Sequence, residues 1–135
     1  MSRLLSIMNV LLVVSAVLAA WGALGLAEYA FPQLAFGLQN PDFPAGMQFL
    51  HFFSILVSGV VFLAGYVVRW AATPFVTVTL YAVLATLCFV ETVDFGAFGG
   101  GPTRFVPMLI EYAVYVALGI YLLTSPAARR RFPRD

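Results

Sequence analysis

One histidine and six carboxylates interrupt a chain that is otherwise strongly apolar. The stretch CFVETVDFGAFGGGPTRF, Cys88 to Phe105, puts Glu91 and Asp94 at the end of a long hydrophobic run and follows them with glycines, a proline and Arg104. Glu28 closes the first apolar run, His51 lies one turn into the second, and Glu111 lies one turn into the fourth. These residue types support several chemistries. A histidine beside a glutamate can pass a proton. Carboxylates and a histidine on facing helices can hold a divalent ion. Walled by Trp21, Tyr81, Tyr112 and Tyr115, the same groups can hold a small lipophilic molecule. A single axial histidine suffices for a haem or a pigment. A di-iron centre of the bundle type needs two Glu-x-x-His pairs, and this chain has none. The metal reading that survives is one hard ion held by Glu28, Glu91, Glu111 and His51.

Position depends on the elements that carry these residues. Of the 135 residues, 62% are hydrophobic and 10% charged, and the mean hydropathy is +0.97. Soluble domains carry about 25% charged residues. A chain this short cannot hide so much apolar surface in its own core, so its solvent is lipid. The net charge of +1 gives no basic face for nucleic acid. The seven cations are all arginine. A lone cysteine, Cys88, excludes an internal disulfide, a CxxC pair and a zinc-finger framework.

Four runs are long enough to span a bilayer as helix, which takes roughly 17–25 residues. They cover about Leu4–Leu26, Met47–Val68, Pro74–Val93 and Pro107–Leu123. They are continuous rather than alternating, which excludes a membrane barrel. Arg3, Arg69 and the cluster Arg129, Arg130, Arg131 and Arg134 flank one side, and only Arg104 flanks the other. The positive-inside rule then predicts both termini in the cytoplasm. Arg3 followed by SAVLAAWGA is similar to a secretory signal, but the apolar run exceeds the roughly 7–15 residues of such a segment. It is read as a retained span. The predicted fold is all-α: a single-domain, polytopic four-helix bundle in a bacterial cytoplasmic membrane.

In this arrangement Glu28, His51, Glu91, Asp94, Arg104 and Glu111 fall at one depth, just inside the outer interface. Helical spacing gathers His51, Ser54, Ser58, Val61 and Gly65 on one face of the second span. It gathers Thr77, Tyr81, Leu84, Cys88 and Glu91 on the third, and Glu111, Tyr115 and Gly119 on the fourth. Val14, Leu18, Trp21, Gly25 and Glu28 form the bulkiest stripe, on the first. Small and polar stripes are what membrane helices turn toward each other. Glu28 and Asp94 lie near span ends, where snorkelling to water is routine, and Asp42 lies in the outer loop, where water solvates it. His51 and Glu111 precede long apolar runs, where an ionisable group marks function or a structural hydrogen bond.

The segments WGALGLAEYAFPQLAFGL, FLHFFSILVSGVVFLAGY and DFGAFGGGPTRFVPMLIEYAVYVALGIYLL together resemble the DoxX-like group of small bacterial four-helix membrane proteins. The likeness is one of layout over nearly the whole chain, and Glu111 is the residue it carries across. It implies a protein that accompanies membrane or quinone-linked oxidoreductases. Glu28 stands where members of that group often have a basic residue.

Two functions follow. The first is a non-catalytic accessory subunit, with the bilayer and a larger membrane complex or further copies of the chain as partners. The second is a binder of a lipophilic ligand or metal ion, or an enzyme, using the polar layer; its cofactor is not identified. The two differ structurally. A packing layer should have Arg104 and hydrogen bonds meeting each acid, whereas a functional site should leave an unfilled cavity faced by His51 and Glu111.

Overall fold

The computed structural model describes residues 6–96 and 99–133; Arg3 and Arg134 fall outside them. Four helices carry the chain: α1 (Ile7–Ala30), α2 (Ala45–Val68), α3 (Thr73–Val93) and α4 (Phe105–Thr124), followed by a short α5 (Pro126–Arg131). The first four are each long and apolar enough to cross a membrane, and the described residues contain no strand. An apolar run surrounded by lipid has no water for its amides and carbonyls, so it satisfies them internally as helix. The protein is a small, multi-pass membrane protein. Valine, leucine, isoleucine and phenylalanine stand exposed along all four spans, for example Val13, Val67, Phe75 and Ile120.

Local sequence sets the helix ends. The Ser6 hydroxyl accepts the Asn9 amide at 3.2 Å and caps α1. This helix continues past Leu26 to Ala30, so Glu28 lies inside its last turn. Arg69 takes the left-handed conformation (φ 58°) at the end of α2, and the Trp70 amide reaches back to the Gly65 carbonyl at 3.0 Å. That bond satisfies an orphan carbonyl and turns the chain sharply into α3. The 3-10 turn Pro102–Arg104 feeds directly into α4, which begins two residues before Pro107. Proline fits there because the amides of the first helical turn have no partner in any case.

The closest packing joins α1 to α2; α3 then bridges α2 and α4, and α1 and α4 barely touch. Glycine makes the first contact possible. A Cβ on Gly22 would run into the Leu56 backbone nitrogen, and one on Gly59 would run into the Ser15 carbonyl and the Ala19 backbone. The buried face of α1 is Leu11, Ser15, Gly22, Gly25 and Glu28. The expected stripe through Val14, Leu18 and Trp21 is therefore rotated away from α2. All five expected positions on α3, from Thr77 to Glu91, are buried.

The arginine-rich end is closed by α5. Arg131 donates to the Tyr66 carbonyl at 3.0 Å and lays its guanidinium over the Tyr66 ring at 3.9 Å. Arg69 in turn donates to the Arg130 carbonyl at 3.1 Å. Each arginine thus satisfies carbonyls at the end of the other's helix. Phe132 fills the space beneath, edge-on to Phe62 and Tyr66. A pocket of about 290 Å³, lined by Pro74, Leu122, Leu123, Ala128, Arg129, Phe132 and Pro133, lies beside this end, and a larger cavity lies among the polar residues at the other.

Candidate functional site

The polar residues at the opposite end separate into three settings. Glu28 holds the α1–α2 loop. Its carboxylate accepts the Leu38 amide at 3.1 Å and the Gln39 amide at 3.4 Å, while the Gln39 side chain donates to the Gly25 carbonyl at 2.9 Å. Gln48 fixes the far end of the same loop: its carbonyl accepts the Asn40 amide at 2.9 Å, and its amide donates to the Asn40 carbonyl. Gln48 is not among the residues that type and spacing single out. Its signal was a lone amide in the first turn of an apolar span, where only a specific partner makes it tolerable. Glu28→Ala should lower stability by about 2–3 kcal/mol, the scale of bonds to a charged acceptor. Hydrogen exchange at the Leu38 and Gln39 amides should accelerate, and unchanged protection there would rule out this role.

His51 and Glu91 form the second setting. The His51 Nδ1 and Glu91 Oε1 lie 2.7 Å apart, α2 against α3. This is the single ion pair among the described residues. The two atoms are in close contact, and neither meets hydrogen-bond geometry. The Glu91 side chain is 8% exposed and the His51 side chain 27%. With Nδ1 on the carboxylate, Nε2 bonds to no described residue. A histidine beside an acid, with its second nitrogen toward a cavity, is a workable proton-transfer arrangement.

Glu111 lies across from this pair on α4. Tyr115, one turn further along, donates its hydroxyl to Glu111 Oε1 at 2.5 Å, and its ring stacks on Tyr81 with centroids 4.9 Å apart. Tyr112 instead bonds the Ala85 carbonyl at 2.9 Å and ties α4 to α3. Between the two pairs is a cavity of about 460 Å³. His51, Glu91, Cys88, Glu111, Tyr115 and Asn40 supply its polar wall; Val14, Leu18, Trp21, Ile55, Leu84 and Val114 supply its apolar wall. The stripe expected to pack α1 lines this space. Trp21 on α1 and Val114 on α4 are both exposed as well as lining it. The cavity therefore opens sideways, through the gap between α1 and α4, toward lipid.

Asp94 and Arg104 are not drawn in. Asp94 is exposed at the end of α3. Arg104 lies over the Phe105 ring at 4.7 Å and pairs with no described acid. It does not supply the countercharge expected of it, because the turn at Pro102–Arg104 lays its side chain along its own helix. No three of the described histidine, cysteine, aspartate and glutamate residues are placed to share a metal ion. Glu28 in particular is committed to the loop amides and takes no part in the cavity. Comparison with family models, characterised proteins and solved structures finds no match to this chain.

Proposed function

We propose that this protein binds a small lipophilic ligand that enters from the bilayer, with the ligand's polar head held by His51, Glu91 and Glu111. The observation that carries this reading is the cavity itself. A histidine–glutamate pair and a glutamate–tyrosine pair from three helices face one space that opens between α1 and α4. Pockets that are mostly apolar with a few convergent polar groups are the usual form of a small-molecule site. In lipid, retained ionisable groups mark such sites by default. The arginine bias supports an orientation with the α5 end on the cytoplasmic side, which would set the cavity under the outer leaflet. The resemblance in layout to DoxX-like proteins, which carries Glu111 across, makes service to a membrane oxidoreductase a natural context for the protein.

Native mass spectrometry of protein extracted gently from its own membrane tests this. A bound small molecule of defined mass should be present in the wild type, with occupancy reduced about tenfold in His51→Ala. One lost bond to a charged group is worth that factor. A ligand-free chain carrying other membrane subunits would overturn the proposal in favour of an accessory subunit whose acids serve packing alone.

A further inference from the structure

The charge balance around the cavity narrows the class of ligand. Two carboxylates, Glu91 and Glu111, face it together with one imidazole. Even a protonated His51 balances only Glu91, which it touches. Glu111 meets a neutral tyrosine hydroxyl and no cation among the described residues. The chain contains no lysine to swing in, and Arg104 is stacked on Phe105. A carboxylate in a low-dielectric wall without a countercharge is costly, and a cation brought by the ligand removes that cost. An anionic head would be repelled, and a neutral one would leave Glu111 as it stands. Trp21 and Tyr115 add aromatic walls, which attract organic cations through the ring faces. The lateral gap leaves room for an apolar tail to stay in lipid.

We infer that the ligand is a lipophilic organic cation, an amine or ammonium head on an apolar body, with Glu111 as its countercharge. This rests on the proposed binding function. The head sits between Glu111 and the His51–Glu91 pair, and the body leaves between α1 and α4 past Trp21.

The test uses the full chain in nanodiscs of zwitterionic phosphatidylcholine. Trp70→Phe leaves Trp21 as the sole tryptophan, since the chain has two. Three probes share one terminally brominated alkyl chain and differ in the head: ammonium, alcohol or carboxylate. Bromine quenches Trp21 on contact. The ammonium probe should quench saturably, at about tenfold lower membrane content than the alcohol, and the carboxylate probe should show only the linear quenching of probe dissolved in lipid. Glu111→Gln should remove the advantage of the ammonium head and leave the alcohol unchanged. Equal saturable quenching by ammonium and alcohol would overturn the cation assignment while upholding a binding site. No saturable quenching by any probe would overturn the site as well. Ammonium binding that survives Glu111→Gln would overturn Glu111 as the countercharge. If that variant does not fold, the three-probe comparison on the parent chain decides the ligand class alone.

Discussion

Gly59→Ala should destabilise the protein by about 2–3 kcal/mol, the upper range for forcing an extra methyl into a packed interface. The reason is what the methyl would meet. At Gly59 it would face the Ser15 carbonyl and the Ala19 backbone, and at Gly22 the Leu56 backbone nitrogen. A side chain can rotate out of the way, but a helix backbone cannot. The two helices would have to separate along their most extensive contact, and Gly22→Ala should cost a similar amount. Gly46 is the internal control. It lies in the first turn of α2 with open space around its Cβ position, so alanine there should be neutral or stabilise by up to about 1 kcal/mol. Thermal unfolding in a mild detergent distinguishes these cases. A Gly59→Ala protein as stable as Gly46→Ala would mean that α1 and α2 do not approach as closely as the structure places them.

That interface also shows which parts of the fold were legible. Four spans follow from composition, because a backbone in lipid has few alternatives to helix. The rotation of each helix is harder. Lipid tails are as apolar as leucine, so hydrophobicity does not say which side of a span faces protein. Only small and polar residues carry that information. On α3, Thr77, Cys88 and Glu91 carried it, and all five expected positions are buried. On α1 the bulky line through Trp21 was misleading. The packed line passes through Ser15 and Gly22, and shares only Gly25 and Glu28 with the expected one.

The pairing of the polar residues was not legible in the sequence. Glu28 and Glu91 both lie near the ends of apolar spans, yet one holds loop amides and the other meets a histidine. The difference lies in the path of residues 31–44, which folds back over the end of α1, and no helical periodicity encodes that path. Arg104 was the natural partner for the acids by proximity in sequence. Its place in a tight 3-10 turn directs it onto Phe105 instead. The consequence reaches function. Without that arginine, Glu111 has no cation beside it among the described residues, while Glu91 meets His51.

The His51–Glu91 pair should behave as an energetic unit, with unequal costs for its two halves. His51→Leu leaves the Glu91 carboxylate buried without its partner, a situation that costs about 3–5 kcal/mol. Glu91→Leu leaves an imidazole that is 27% exposed and borders the cavity, so its cost should be nearer the 1–3 kcal/mol of an unmet polar group. The double variant removes both polar groups and places leucines where the helices face each other. Buried ion pairs replaced by apolar residues are often neutral in stability. The double variant should therefore be more stable than His51→Leu alone, and its cost should fall short of the sum of the singles by at least about 2 kcal/mol. A double-mutant cycle by thermal unfolding at neutral pH measures this coupling. Additive costs would mean that the 2.7 Å contact contributes nothing as a pair. A folded double variant would also separate stability from the proposed binding: the bundle would stand without the pair, whereas the proposed ligand would lose its contact with the imidazole.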